Sequence, residues 1–116
     1  MYRVTKRMEI AGAHQLRLNY DSKCENLHGH NWIINVVCEV DNESDLTNGM
    51  VVDFTHIKRA VQDKFDHKYL NDIAPFDEIN PTAENMARYI CETVPHCVYV
   101  SVQESEGNIA EYFKEG

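Results

Sequence analysis

The stretch from His28 to Val40 constrains the fold most, because every second residue from Trp32 to Val40 is apolar. Side chains at positions i and i+2 of a β-strand lie on the same face, so the pattern predicts a strand with one buried face. His28 and His30 share the parity of the apolar residues. The buried face therefore runs directly into two histidines.

Three further strands are predicted from the same period of two. The first spans 2–10, and His14 has its parity if the strand continues that far. A second spans 98–102, with Glu104 on the same parity, and a last one spans 109–113 after a turn.

Two helices are predicted between these pairs of strands. Asp53 is a candidate cap for a helix whose apolar residues recur at helical spacing up to Phe65. Asn80-Pro81-Thr82 begins a second helix, which Pro95 ends, and the segment 66–75 is interpreted as a connection. The order β–β–α–α–β–β predicts an α+β domain, with a four-stranded antiparallel sheet and two helices on one face.

Length and charge limit the function classes. The 116 residues form one domain, 1–116. A net charge of −8 argues against non-specific nucleic-acid binding, which needs a cationic surface. No apolar run is long enough to span a membrane and no signal-peptide core is evident, so a cytoplasmic location is expected. In that compartment free thiols are expected at Cys24, Cys38, Cys91 and Cys97.

The histidines indicate a metal site. Imidazoles two residues apart on a strand converge on one point, and His14 lies on another inward parity. The metal most easily held by three neutral imidazoles is zinc. Three protein ligands leave one coordination position open, as in catalytic zinc sites. His14, His28 and His30 are therefore candidate zinc ligands, and the chain is expected to be an enzyme.

Cys24 differs from the other cysteines because it lies in a polar loop, beside Lys23 and four residues before His28. A partly exposed thiol near a cation favours the thiolate. The spacing leaves open whether Cys24 is a fourth zinc ligand, an acid/base group or an inert side chain.

Asp66-His67 follows the first predicted helix. A histidine there suits the negative end of the helix dipole on a protein surface, and from the residues alone this interpretation is favoured. The functional alternative is a carboxylate that orients an imidazole for proton transfer.

Glu104 continues the inward parity of an apolar strand. A carboxylate on a core face must find partners. Either the strand has ended and Glu104 is exposed, or its carboxylate receives N–H donors from a ligand. Two parallel N–H groups suit an aminopyrimidine edge such as that of guanine or a pterin. Periodicity leaves both interpretations open.

Together these residues resemble the 6-pyruvoyltetrahydropterin synthase family over almost the whole chain. The stretches that carry the resemblance, in order, are Ala13-His14-Gln15-Leu16, Cys24 through His30, Val52-Asp53-Phe54, Phe65 through Asp72, Asn80 through Asn85, and Glu104-Ser105 with Ala110 and Tyr112. The chain departs from the family at Ile10-Ala11-Gly12, where an aromatic residue is common, and in the acidic segment that follows Glu104.

The resemblance implies the tunnelling fold, assembly as a hexamer of two trimers, and active sites between subunits. The zinc ligands that it implies are His14, His28 and His30. The catalytic residues that it implies are Cys24, for proton transfer rather than zinc binding, with Asp66 and His67. The pterin contacts that it implies are Glu104 as ring anchor, with Thr82 and Glu84.

Only three residues separate Cys24 from His28, which looks like the bacterial 6-carboxytetrahydropterin synthases of the queuosine pathway. The implied reaction is a carbon–carbon and carbon–oxygen lyase reaction, from 7,8-dihydroneopterin triphosphate to 6-carboxy-5,6,7,8-tetrahydropterin, acetaldehyde and triphosphate. Two alternatives stay open. One is 6-pyruvoyltetrahydropterin synthase activity, and the other is a non-catalytic oligomer that binds zinc and pterins.

Overall fold

The computed structural model describes residues 1–115. Its elements are β1 (Tyr2–His14), β2 (His28–Val40), α1 (Phe54–Phe65), β3 (Lys68–Tyr69), α2 (Ala83–Thr93), β4 (Cys97–Ser105) and β5 (Asn108–Phe113). The α+β class and the order of the long elements agree with the sequence-based prediction. Within residues 1–115, neither helix has the length and apolar content to cross a bilayer.

The sheet has five strands in the order β3-β1-β2-β4-β5. The four long strands form antiparallel pairs, and β3 runs parallel to β1, with Gly12 beside Lys68 and Ala13 beside Tyr69. The predicted four-stranded antiparallel sheet is therefore wrong by one short strand. That strand lies inside the segment 66–75, which was expected to be only a connection.

Strand β3 depends on contacts that a periodic pattern does not carry. The Ala11 N–H donates to Asp66 Oδ1 at 2.8 Å, and the His67 N–H donates to the Ala11 carbonyl at 2.6 Å. These bonds hold the end of α1 against the edge of β1. The next two residues, Lys68 and Tyr69, then lie alongside β1. A strand of two residues has no alternation to detect.

Strand β1 runs through His14, beyond the predicted end at residue 10. It pairs with β2 along its full length, and His14 lies directly opposite His28. The pairing across the two strands thus places the first two histidines side by side at one end of the sheet.

Both helices begin at side-chain caps and pack into one core. The Thr55 N–H donates to Asp53 Oδ1 at 2.8 Å, and the Asn85 N–H donates to Thr82 Oγ1 at 3.2 Å. These bonds satisfy donors that a helix start leaves unpaired. The largest fully buried side chains, drawn from the sheet, the helices and their connections, include Trp32, Phe65, Phe76, Ile10, Ile34, Ile57, Leu70, Met86 and Ile90.

Two asparagine side chains hold the chain where it leaves β1. The Asn71 side-chain amide donates to the Gln15 carbonyl at 2.7 Å and accepts from the Gln15 N–H at 2.9 Å. Asn80 makes the same pair of bonds with Arg17, both at 2.7 Å. A side-chain amide carries the same donor and acceptor as a peptide group, so backbone-like bonding continues past the end of β1.

Gly12 lies where β1, β3 and the core approach most closely. A Cβ at this position would be 3.0 Å from the Lys68 carbonyl oxygen and 3.2 Å from Trp32 Cζ3. We expect Gly12→Ala to lower the free energy of unfolding by about 1–3 kcal/mol, the usual cost of overpacking. Urea unfolding followed by Trp32 fluorescence measures this, with Thr5→Ala, at an exposed position of the same strand, as control. A Gly12→Ala protein as stable as its parent would contradict the close approach.

Candidate functional site

Three imidazoles meet where β1 ends and β2 begins. One ring nitrogen from each of His14, His28 and His30 lies within 4.8 Å of the others. The closest pair is His14 Nε2 and His28 Nε2, at 2.9 Å. His14 is fully buried, whereas the other two are half-buried. The structure thus brings together the three histidines that the sequence singled out, and their role as metal ligands stays a prediction.

Backbone carbonyls orient two of these rings. His14 Nδ1 donates to the Pro81 carbonyl at 2.8 Å, and His28 Nδ1 donates to the Asn26 carbonyl at 2.6 Å. A carbonyl oxygen only accepts, so in each neutral ring Nε2 keeps its lone pair. Two lone pairs facing each other repel unless a cation lies beside them. A ring that donates through one nitrogen to a carbonyl and offers the other is the arrangement of metal-bound histidine.

The third ring supplies an unpaired donor atom. His30 Nε2 is buried and has no hydrogen-bond partner among the described residues. A buried polar atom without a partner costs free energy, and a bound metal ion would remove that cost. Trp32 packs edge-on against His14 and His30, with ring centroids 5.0 and 5.2 Å away. The donor set, three neutral imidazole nitrogens against an apolar wall, fits a metal ion that prefers nitrogen ligands.

Burial lowers the pKa of two of the histidines. Burial is the main cause that lowers the pKa of His14, assisted by the charges of His28 and His30 and opposed by the Pro81 carbonyl and Glu104. Burial likewise lowers the pKa of His30, with Glu104 opposing it. Because only the neutral ring binds a metal ion, both shifts favour metal binding at mildly acidic pH.

The lowered values give the metal-free protein a pH dependence. Between the lowered pKa values and the ordinary value of 6.5, the unfolded chain binds more protons than the folded one. The stability that comes from keeping these two rings neutral is therefore fully present above about pH 6.5. As the pH falls below that value, the free energy of unfolding decreases, by at most about 1.4 kcal/mol per pH unit for each histidine. Urea unfolding at pH 7.5, 6.5 and 5.5 measures this, with His56→Gln expected to follow its parent. A midpoint that rises on acidification would contradict the assignment.

Glu104 lies beside the histidines, at a bulge in β4. Gln103 pairs with Ile109 and Ser105 pairs with Asn108, so Glu104 is an extra residue relative to β5. Bulges next to binding sites re-aim a side chain. Glu104 Oε1 lies 3.5 Å from His14 Nε2 and 3.6 Å from His30 Nε2, and its side chain is 31% exposed. The strand has not ended at Glu104, and the carboxylate is half-buried.

Two open cavities share Glu104. One, of about 520 Å³, is lined by Glu104 with His30, Asn31 and residues of the β1 end. The other, of about 510 Å³, is lined by Glu104 with Glu84, Ala83 and residues of β5. Glu84 therefore faces the same space as Glu104. Thr82, the other expected contact, has its hydroxyl engaged as the cap of α2.

Cys24 is exposed in a short 3₁₀ turn, Lys23–Glu25, between β1 and β2. The turn is joined to the histidines through the backbone, because the Asn26 N–H donates to the Lys23 carbonyl at 3.0 Å and the Asn26 carbonyl accepts from His28. The partly exposed thiol expected from the sequence is present. Its chemical role is not decided by this geometry.

Asp66 and His67 form a pair on the other side of the β1 end. Asp66 Oδ2 lies 3.5 Å from His67 Nε2, and the His67 side chain is 82% exposed. His67 has a positive φ of 59°, a conformation that non-glycine residues seldom adopt outside turns and functional sites. Within residues 1–115, no hydrogen bond or ion pair joins either residue to Cys24.

Sequence reasoning missed the groups that orient the site. The Pro81 and Asn26 carbonyls are backbone atoms, which leave no trace in the residue pattern. Asn71 lies in a segment interpreted as a connection and Asn80 in a predicted helix start, and the side chains of both bond backbone groups after β1. The one available signal was the position of Pro81 just before a helix cap, where a carbonyl is free to accept.

The sequence of this chain is similar to those of known pterin synthases. Residues 3–115 match the family model described as 6-pyruvoyl tetrahydropterin synthase. The 6-carboxy-5,6,7,8-tetrahydropterin synthase of Bacillus subtilis is 29% identical over 125 residues, which cover 96% of this chain and 84% of that protein. The human 6-pyruvoyl tetrahydrobiopterin synthase is 30% identical over 129 residues, which cover 94% of this chain and 89% of that protein.

The fold of this chain also matches that of a solved synthase structure. The structure of Caenorhabditis elegans 6-pyruvoyl tetrahydropterin synthase superposes with a TM-score of 0.73 at 28% identity, covering 98% of this chain and 96% of that one. Because sequence and structure both match over nearly the full length, this chain belongs to the 6-pyruvoyl tetrahydropterin synthase family.

Proposed function

We propose that this protein is a zinc-dependent 6-carboxy-5,6,7,8-tetrahydropterin synthase. It would convert 7,8-dihydroneopterin triphosphate to 6-carboxytetrahydropterin, acetaldehyde and triphosphate. The observation that carries the proposal is the convergence of three imidazole nitrogens, within 4.8 Å of one another, beside a half-buried carboxylate. The family match over residues 3–115 supports a pterin substrate.

The choice of product rests on the loop before β2. Three residues separate Cys24 from His28, the gap that resembles the bacterial carboxy enzymes. Overall identity does not distinguish the branches, since the Bacillus subtilis carboxy enzyme is 29% identical and the human pyruvoyl enzyme 30%. The pyruvoyl reaction, which eliminates triphosphate without breaking a carbon–carbon bond, is therefore the second candidate.

Zinc would be held by His14, His28 and His30. When bound there it supplies Lewis-acid chemistry toward the hydroxyls of the substrate side chain, which makes adjacent C–H and O–H bonds more acidic. The carbonyls of Pro81 and Asn26 hold two rings in the tautomer that offers Nε2. Trp32 packs edge-on against His14 and covers one side of the cluster.

Glu104 is proposed to anchor the pterin ring. A carboxylate accepts two parallel N–H bonds from an aminopyrimidine edge. Glu104 lies 3.5 Å from His14 Nε2, so a pterin ring bound to it would lie next to the metal ligands. The side chain of the substrate would then be in reach of the metal site. Glu84, which lines the same cavity, and Thr82 at the start of α2 are proposed as further contacts.

Cys24 is proposed to carry protons between the side-chain carbons and the ring. A thiolate is the reactive form, and His67, oriented by Asp66, would keep the thiol poised for transfer near neutral pH. Among residues 1–115 of a single chain, no hydrogen bond or ion pair joins Cys24 to Asp66 or His67. The exposed imidazole of His67 would therefore meet the Cys24 thiol of a neighbouring subunit.

This separation supports the proposed assembly, a homohexamer of two trimers with active sites between subunits. Both cavities at Glu104 are open to solvent in the single chain, so a neighbouring subunit would close them. Multi-angle light scattering gives the assembly size. A monomer with full turnover would contradict an interfacial site.

The substrate's triphosphate needs cations, because the chain carries a net charge of −8. Arg17, Lys23 and Lys68 are the nearest candidates in sequence. Arg17 lies in the loop after β1, Lys23 in the turn that holds Cys24, and Lys68 in β3, next to His67.

Substituting Glu104 tests the anchor role. We expect Glu104→Ala to weaken pterin binding about 100-fold, which corresponds to losing charged hydrogen bonds of about 1.5–3 kcal/mol, while zinc content is unchanged. Isothermal titration with a pterin and metal analysis measure the two properties. Glu106→Gln, at an exposed turn beside the site, is the matched control. Equal pterin affinity in Glu104→Ala and its parent would refute the role.

Product analysis tests the proposed reaction. The zinc-loaded protein is incubated with 7,8-dihydroneopterin triphosphate, and acetaldehyde and the pterin mass are measured together. Acetaldehyde with 6-carboxytetrahydropterin supports the proposal. Triphosphate release without acetaldehyde would instead assign the pyruvoyl reaction, and tight pterin binding without turnover would assign a binding protein.

A further inference from the structure

Three buried cysteines lie at the end of the sheet opposite to the histidine site. Cys38 on β2, Cys97 on β4 and Cys91 on α2 are all buried. All three are free thiols, as expected from the sequence. Cys38 is eight residues beyond His30, which is about 26 Å along an extended strand, so the group is separate from the histidine site.

Cys38 and Cys97 are direct partners across the two strands. The Glu39 N–H donates to the His96 carbonyl at 2.9 Å, which joins the residue after Cys38 to the residue before Cys97. In a regular antiparallel ladder a bond at this position makes the adjacent cysteines a non-hydrogen-bonded pair, whose Cα atoms are about 4.5 Å apart. That separation lies within the range of about 4.4–6.8 Å found for disulfides.

A bulge turns the second thiol toward the first. Val37 pairs with Tyr99 and Cys38 pairs with Cys97, so Val98 is an extra residue in β4. Strict alternation through Val100 would have pointed Val98 inward. Instead Cys97 is 2% exposed and Val98 is only half-buried. Both thiols therefore face the same core.

A small cavity lies against Cys97, which is itself 2% exposed. The cavity is about 210 Å³ and is lined by Cys97 with Glu39, His96, Val98, Lys114 and Glu115. A water molecule occupies about 30 Å³ in the liquid, so a molecule the size of hydrogen peroxide fits easily.

The surroundings favour a thiolate at Cys97. Hydrogen bonding with Cys38, then with Cys91, and the charge of Lys114 hold the pKa of Cys97 below its ordinary value, although burial opposes them. The contact with Cys97, together with burial, raises the pKa of Cys38. Thiolates beside a cation are the reactive form of cysteine, so Cys97 would react before Cys38.

We propose that Cys97 is a peroxide-reactive thiol and that Cys38 is its resolving partner. The Cys97 sulfur attacks hydrogen peroxide, the O–O bond breaks, and Cys97 sulfenic acid and one water form. The Cys38 sulfur then attacks the sulfenic sulfur, the S–O bond breaks and a second water leaves. The two thiols lose two electrons and two protons, and one peroxide is reduced to two waters.

Peptide mapping tests this in the full chain carrying Cys24→Ser, so that the exposed thiol cannot be oxidised. The zinc-loaded protein is treated with equimolar hydrogen peroxide, alkylated, digested and analysed by mass. We expect a peptide pair linked through Cys38 and Cys97, with zinc content unchanged. Adding Cys91→Ala should leave that link in place. Adding Cys38→Ala removes the resolving thiol, so Cys97 should remain a sulfenic acid, which dimedone labels.

Several results would overturn the proposal. One is a folded protein whose three buried cysteines are all alkylated after denaturation, with neither disulfide nor dimedone adduct. Another is a link between Cys91 and Cys97, which would assign the wrong partner. A link between two chains, seen as a dimer without reductant, would contradict the cross-strand geometry. Because the test is read first in protein with an unaltered core, a folding defect in Cys38→Ala does not remove it.

Discussion

Cys24→Ala is expected to lower kcat/KM by about 10²–10⁴-fold, the usual contribution of one acid/base group. The thiol is exposed, in a turn whose hydrogen bonds are made by backbone atoms and Ser22. Removing it should therefore leave the fold and the metal content as they are. Steady-state kinetics, metal analysis and circular dichroism on the same preparation measure the three properties.

Cys24→Ser is the matched variant. It keeps the size and polarity of the side chain but replaces a thiol by a hydroxyl that does not ionise near neutral pH. We expect turnover as low as in Cys24→Ala. Loss of zinc in either variant would contradict the assignment, because it would make Cys24 a metal ligand, and near-normal turnover in both would remove it from the mechanism.

His28→Ala is expected to lower zinc affinity by more than about 100-fold, since changes in the groups that merely support metal ligands already reach that size. Turnover should fall to background with it. His28 is half-buried at the start of β2, so the metal-free variant should still fold and lose only about 1 kcal/mol of stability. Competition with a chelating dye measures affinity, and urea unfolding measures stability.

His56→Ala is the control for this prediction. His56 is exposed on α1, away from the three converging rings, and its loss should change neither zinc affinity nor turnover. One zinc ion per chain, bound to His28→Ala as tightly as to the parent, would exclude His28 from the metal site.

The parts of the fold that follow a regular period were predictable. The alternation from Trp32 to Val40 identified β2 and its buried face, and that face led to His28 and His30. Asp53 and the segment Asn80-Pro81-Thr82 indicated the starts of both helices, and in the structure the Asp53 and Thr82 side chains satisfy a free N–H of each helix. Local physical chemistry decides these features, so single residues carry the signal.

The parts that depend on distant contacts were not predictable. Strand β3 exists because Asp66 and His67 bond to Ala11, which lies 55 residues away from Asp66 in the chain. The bulges at Val98 and Glu104 come from the register with neighbouring strands. Glu104 shows the consequence, because parity alone left its side chain either exposed or bound to a ligand.

The candidate site likewise has parts that the sequence predicts and parts that it does not. Convergence of the three histidines follows from strand geometry once β1 extends to His14. The carbonyls that orient two of the rings are backbone atoms, one from Pro81, 67 residues away from His14, and one from Asn26, two residues before His28. The contact between Cys24 and His67 is proposed to form between subunits, and a contact of that kind is not encoded in the residue pattern of one chain.

Turnover by metal-stripped and zinc-reloaded protein tests the central claim most directly. Metal is removed with a chelator, and consumption of 7,8-dihydroneopterin triphosphate is measured before and after titration with zinc. We expect no turnover without metal and full activity once one zinc ion per chain is bound. Full activity in the metal-free protein, or none in the zinc-loaded protein, would contradict the account.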